Sequence, residues 1–165
     1  MNIVLMGVPG VGKSSVGKLL AAQMNREFID TDTLLAARLY PMSLTEFFVE
    51  EGEMAFRKEE HAVLSSLLGR KDLILSLGGG TPTYAMNREL LGQIGKSIFL
   101  KADLETLLEH SKGALPGYLD SVEDFSRVVK ERTELCEKCA DLTLVIGKDS
   151  ILEVTQKLME SLNGK

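Results

Sequence analysis

The sequence has no surplus of positive charge: 19 lysines and arginines face 24 aspartates and glutamates, a formal net charge of −5 at pH 7. That balance argues against nonspecific binding to nucleic acid or to an anionic membrane surface, although it leaves room for a local basic site that takes an acidic ligand. No apolar run approaches the roughly 20 residues that a membrane helix requires. The opening stretch, residues 1–6, carries no basic segment, no long apolar core and no small-residue cleavage site. A reducing, cytosolic setting is therefore expected. Cysteine is scarce, with Cys136 and Cys139 alone. Their C-x-x-C spacing admits a redox pair or half a zinc site, but only His61 and His110 remain to complete a metal centre. Positions three apart on a helix more commonly share a buried stripe. Linkers rich in Pro, Gly or Ser, low-complexity tracts and internal repeats are missing too, so residues 1–165 are read as one domain. At 44% hydrophobic residues, a chain of this length buries roughly two-thirds of its unfolded surface and needs neither disulfide nor structural metal.

What is present is an alternation of short apolar runs with longer amphipathic ones. This is the pattern of strand-helix-strand units closing into a parallel sheet with helices on both faces. Five strands are predicted, over residues 3–6, 27–30, 73–77, 97–100 and 142–146, each rich in Ile, Leu, Val or Phe as a strand buried on both faces should be. The first helix is expected to turn Val16, Leu19, Leu20 and Met24 toward the sheet. Ser43 with Glu46, and Ser150 with Glu153, match the capping box that opens a helix. Between residues 111 and 123, Gly113, Pro116 and Gly117 interrupt any helix, and the segment suits a mobile flap over a ligand.

The chemistry concentrates in four places. Gly7-Val8-Pro9-Gly10-Val11-Gly12-Lys13-Ser14 is a complete G-x-x-x-x-G-K-S/T pattern between a predicted strand and a predicted helix. Glycines let the backbone wrap a polyphosphate, so that the N–H groups of Gly10, Val11, Gly12, Lys13, Ser14 and Ser15 and the positive end of the helix face the anion. Lys13 would reach the β- and γ-phosphates, and the Ser14 hydroxyl is a hard oxygen ligand suited to Mg2+. A glycine-rich turn without a ligand is the bland alternative, and pattern, position and context all weigh against it.

Asp30-Thr31-Asp32 ends the second predicted strand, at the edge where open parallel sheets place ligands. One carboxylate could hold the magnesium side while the other orients, or takes a proton from, an acceptor hydroxyl. A plain helix cap is the competing role, and the neighbouring phosphate loop favours the catalytic one. In the charged run Glu51–Glu60, Arg57 reads on composition alone as a solvated, acid-paired side chain. Gly78-Gly79-Gly80 after the third strand permits either close approach of a ligand to the main chain or a tight turn. For His61 and His110 an exposed or capping role outweighs catalysis.

Taken together, the phosphate loop, Asp-Thr-Asp, Glu-Gly-Glu-x-x-Phe-Arg-x-x-Glu through Glu60, and the triple glycine resemble the shikimate kinase family, in order and in spacing. The resemblance covers most of the chain. It implies a three-layer α/β P-loop kinase fold with a five-stranded parallel sheet, helices on both faces and a lid. It also implies transfer of the ATP γ-phosphoryl group to the 3-hydroxyl of shikimate, in a cytoplasmic monomer that uses Mg2+ and partners only with small molecules. By that likeness Asp32 contacts the acceptor hydroxyls and joins Lys13 in catalysis, and Asp30 and Ser14 serve the metal. Arg57, Gly78, Gly79, Gly80 and Arg132 bind the acceptor. Two guanidinium groups suit its carboxylate, since each can donate a parallel pair of hydrogen bonds. The acceptor region is expected over residues 31–60 and the lid over 111–123.

The sequence departs from the family in the lid, where an arginine normally precedes Pro-Leu-Leu. Here Leu115-Pro116-Gly117 stands, and Glu109 and His110 replace the arginines expected on the adenine side. Ala36 replaces an acid expected four positions after Asp32. Only Lys112 and Arg127 offer positive charge nearby. Loss of a charge-stabilising arginine can cost on the order of a thousandfold in phosphoryl transfer. A kinase for another small hydroxylated metabolite or nucleotide, and a non-catalytic nucleotide-binding protein, are therefore the alternatives.

Overall fold

The computed structural model describes residues 1–116 and 119–164. Five strands form one parallel sheet: β1 (Asn2–Met6), β2 (Glu27–Asp30), β3 (Leu73–Ser76), β4 (Gly95–Lys101) and β5 (Leu142–Val145), in the order β2-β3-β1-β4-β5. The strands alternate with α1 (Lys13–Met24), α2 (Thr31–Leu39), α3 (Leu44–Glu51), α4 (Glu53–Ser66), α5 (Ala85–Ile94), α6 (Leu104–His110), α7 (Val122–Cys139) and α8 (Ile151–Leu162). All five predicted strands form, β2 over its predicted range and no end of the others displaced by more than two residues. Both predicted capping boxes are present, at Ser43 and at Ser150.

Alternate side chains of the central strands enter two separate cores, as the two-residue period of a strand dictates. Ile3, Leu5, Ile74, Ile98 and Leu100 pack with Val16 and Leu20 of α1 and Val154 and Leu158 of α8. Val4, Met6, Leu73, Leu75 and Phe99 face the opposite way, against Leu64 of α4 and Leu91 of α5. Helix α7 serves both, giving Phe125 and Val129 to the first core and Cys136 to the second. On α1, Leu19 is only half-buried, and Gly17 and Ala21 take the sheet-facing positions instead. A β-carbon on Gly17 would lie 2.5 Å from the Phe28 ring. The missing side chain is thus what lets α1 settle onto the sheet.

A third, smaller cluster joins Leu35 and Leu39 of α2 with Phe56 and Val63 of α4, and Phe47 and Phe48 of α3 pack against it. Phe48 meets Phe56 edge-on at 5.4 Å between centroids. This apolar knot holds the segment following β2 beside the carboxyl ends of the strands. Among the described residues no helix is long and apolar enough to cross a membrane. Of the expected lid, Leu115 and Leu119 lean on the first core. Gly117 and Tyr118, which include part of the divergent lid sequence, lie outside the described residues.

Candidate active site

The loop between β1 and α1 turns on two left-handed glycines, Gly10 at φ 89° and Gly12 at φ 101°. A residue with a β-carbon is strained at either position. Gly12 supplies no side-chain cap to α1, so the helix presents its first N–H groups toward an anion. Lys13 is nearly buried and folds back over the loop, its Nζ donating to the Gly7 and Val8 carbonyls at 2.7 and 3.1 Å. Burial pulls its pKa down to about 8, against the opposing pull of Asp32 and Asp30. An ammonium that costs this much to bury is set to change partners when phosphate oxygens arrive.

Ser14 Oγ donates to Asp30 Oδ2 at 2.8 Å and lies 3.4 Å from Ser76 Oγ. The other Asp30 oxygen accepts from the Asp32 N–H at 2.9 Å and caps α2. The capping role read for that aspartate is therefore present, while its other oxygen faces the loop serine. Thr31 ties β2 to β3, donating to the Ser76 carbonyl at 3.2 Å and accepting from Gly78 N–H at 3.3 Å. Asp32 is left half-buried in the first turn of α2. Desolvation, then the nearby Asp30 and Glu60 carboxylates, push its pKa up to about 6.

Two clefts meet here. The first, about 620 Å³, is lined by Gly10, Gly12, Lys13, Ser14, Ser15 and Asp30. The second, about 690 Å³, is lined by Arg57, Gly78, Gly79, Gly80 and Arg132 and walled by Phe48 and Phe56. Pro9, Asp32 and Gly79 border both. Every residue given a catalytic, phosphate-binding, acceptor-binding or metal role from the sequence thus lines a cleft except Val11, whose side chain is buried in the first core. Arg57 is also buried rather than solvated, its Nη1 donating to Glu60 Oε1 at 2.6 Å and its Nη2 lying 3.4 Å from Glu53. Glycines bring the walls together: a β-carbon on Gly78 would lie 2.7 Å from Asp32 Oδ1, and one on Gly79 2.5 Å from Pro9 Cδ.

Several lining residues escaped the sequence reading. His110 reaches the rim of the first cleft, with Nδ1 3.3 Å from the Gly10 carbonyl, and Asp149, Ser150 and Ile151 close the same end. His110 stands where the family likeness expects an adenine-side arginine, whereas for Asp149, Ser150 and Ile151 only the cap at Ser150 gave a signal, because the chain that brings them there runs through β5. Neither Lys112 nor Arg127 is among the described residues lining the clefts, and Arg127 pairs with Asp124 at the surface. Cys136 and Cys139 share the inner stripe of α7. Burial pushes the Cys136 thiol up to about 12, and no group of three metal-binding side chains gathers among the described residues.

Comparison with known proteins gives a consistent result. A family model described as shikimate kinase matches residues 9–163. The shikimate kinase of Streptococcus gordonii is 38% identical over 96% of this chain and 100% of its own length, and that of Azobacteroides pseudotrichonymphae 34% identical over 98% and 99%. Among solved structures, the shikimate kinase of Acinetobacter baumannii in complex with shikimate superposes with a TM-score of 0.88 at 32% identity, over 98% of this chain and 92% of that one. Motif order, sheet topology and full-length similarity agree, and the chain belongs to the shikimate kinase family.

Proposed function

We propose that the protein transfers the γ-phosphoryl group of ATP to the 3-hydroxyl of shikimate, releasing ADP and shikimate 3-phosphate. The observation that carries this reading is that Asp32 borders both clefts, the one built on the phosphate loop and the one lined by arginine and glycine. A carboxylate at that junction can accept the proton of the acceptor hydroxyl. The freed oxygen bonds to the γ-phosphorus as the bond from that phosphorus to the bridging oxygen breaks. A base with a pKa of about 6 is ionised at neutral pH and still basic enough to take that proton.

In this reading the amides of residues 10–15 hold the phosphates and Lys13 donates to the β- and γ-oxygens. Arg57 and Arg132 hold the acceptor carboxylate, and Gly78, Gly79 and Gly80 let the ring approach the main chain. The donor set suits magnesium: the Ser14 hydroxyl and the Asp30 carboxylate are hard oxygens 2.8 Å apart beside the loop. Bound there with ATP, Mg2+ would neutralise charge on the β- and γ-phosphates. We assign the acceptor region to residues 31–60 and the lid to 111–123 of a single domain. We take the protein to act as a cytoplasmic monomer, as the family likeness implies. Since the lid carries Lys112 but no arginine, turnover should be slow for the family.

The test is ADP release measured with a panel of hydroxy acids and nucleosides, with and without Mg2+. Stimulation by shikimate alone, abolished by EDTA, is the expected result. Stimulation by a nucleoside instead, or magnesium-dependent ATP binding with no turnover on any acceptor, overturns the assignment.

A further inference from the structure

Asn87 lines neither cleft and is fully buried on the first turn of α5. A buried carboxamide must satisfy both of its ends. Its Nδ2 donates to the Thr81 carbonyl at 3.1 Å, and its Oδ1 lies 3.1 Å from His61 Nδ1. The carbonyl of Thr81 can only accept, which fixes the orientation of the amide. His61 Nδ1 must then carry the proton and donate.

Thr81 opens the 3-10 turn, Thr81–Thr83, that follows the triple glycine. Arg88, next to Asn87, donates to the Pro82 carbonyl at 2.8 Å and to that of Thr83 at 3.2 Å. All three carbonyls of the turn are therefore held by two adjacent side chains of α5. The turn's own amides run back to the glycines, Thr81 N–H to Gly78 O at 3.1 Å and Thr83 N–H to Gly80 O at 3.0 Å. From the same turn the Thr81 hydroxyl donates to Glu60 Oε2, and Glu60 Oε1 accepts from Arg57 Nη1.

We infer that Asn87, with Arg88, is a positioning residue of the acceptor site: it clamps the turn that suspends Gly78–Gly80 and aims the Glu60 carboxylate that holds Arg57. The inference rests on the acceptor cleft proposed above. Its reach is selective, because the phosphate loop is fastened by Lys13 and Asp30 through bonds that do not include α5.

Asn87→Asp keeps the shape and the acceptor toward His61 and removes the donor toward Thr81. In the full-length protein, KM for shikimate should rise about tenfold, the size of one lost buried hydrogen bond. KM for ATP should stay within about twofold, as expected when the binding of one substrate alone is weakened. Hydrogen exchange without ligand should quicken at the amides of Thr81 and Thr83 and stay unchanged in residues 10–15. A folded variant with an unchanged KM for shikimate, or with both KM values raised alike, overturns the inference. Should Asn87→Asp fail to fold, the half-buried Arg88→Ala must shift both readouts in the same direction, and unchanged values there count against the clamp equally. If the wild type turns over no shikimate, the functional reading fails on its own. The exchange comparison still decides whether Asn87 holds the turn, and unchanged exchange at Thr81 and Thr83 rejects it.

Discussion

Arg57 lies so close to Gly80 that a β-carbon on that glycine would stand 2.9 Å from the guanidinium Cζ and nearer still to Nη2. The guanidinium has little room to retreat, because it is buried and its Nη1 is bonded to Glu60 at 2.6 Å. Gly80→Ala should therefore displace Arg57 from its place in the acceptor cleft. Isothermal calorimetry should find shikimate binding weakened by about tenfold or more, the cost of misplacing a charged donor, with ADP binding unchanged. Unaltered shikimate affinity would separate Arg57 from the acceptor.

Lys13 combines burial with a lowered pKa, and the two properties pull function and stability apart. A lysine with a folded pKa of about 8 against 10.5 when unfolded holds fewer protons in the native state. Stability therefore rises as pH climbs through that interval. Lys13→Met removes the charge at nearly constant volume. Turnover should fall by about a hundredfold or more with the loss of its phosphate contact, while the ligand-free melting temperature at pH 7 should not drop. Melting curves from pH 7 to 10 should also lose the upward slope expected of the wild type from Lys13. Turnover near wild type would detach Lys13 from the phosphates.

The central strands were legible in the sequence because they are buried on both faces: every residue of β1 and β3 is buried, so Val4 and Leu5 must both be apolar, whereas the edge strands β2 and β5 carry exposed positions. The phosphate loop was legible because a left-handed Gly12 followed by a lysine at a helix start has few uses besides holding phosphate. Arg57 is the instructive case. Its neighbours in sequence are mostly acids and bases, so composition points to a solvated helix face. Only the fold of α2 and α3 over α4, driven by Leu35, Phe48 and Phe56, buries it. Asn87 and His61 are 26 positions apart, and Gly10 and His110 are 100 apart. Nothing local marks either pairing, because tertiary packing creates them.

Asp32 gives the molecule a pH signature. Its folded pKa of about 6 stands above its ordinary 3.8, so the native state holds the proton more tightly than the unfolded chain. The stability contribution is complete below pH 3.8 and is lost as pH rises through about 6. Turnover runs the other way, since the base must be ionised. kcat/KM for shikimate should decline below pH 6, with an apparent midpoint near that value. Asp32→Asn should abolish turnover and flatten the pH dependence of the melting temperature between pH 4 and 6. A melting profile in Asp32→Asn identical to that of wild type would assign the shift elsewhere.

The two arginines of the acceptor cleft should separate by what their removal leaves behind. Arg57→Ala strands the Glu60 carboxylate, only 5% exposed, beside the Thr81 hydroxyl, and an uncompensated buried charge costs about 3–5 kcal/mol. Glu60→Gln added to Arg57→Ala should recover much of that stability in denaturant titrations without recovering shikimate binding. Arg132 projects into the same cleft from α7, where it is half-buried. Arg132→Lys keeps the charge but loses the planar fork that pairs with a carboxylate. KM for shikimate should rise about tenfold while KM for ATP holds within about twofold, the mark of an interaction made with one substrate only. If Arg132→Lys raises both KM values together, the guanidinium acts on the whole cleft mouth rather than on the acceptor carboxylate. The pairing of two arginines with one anion would then be wrong.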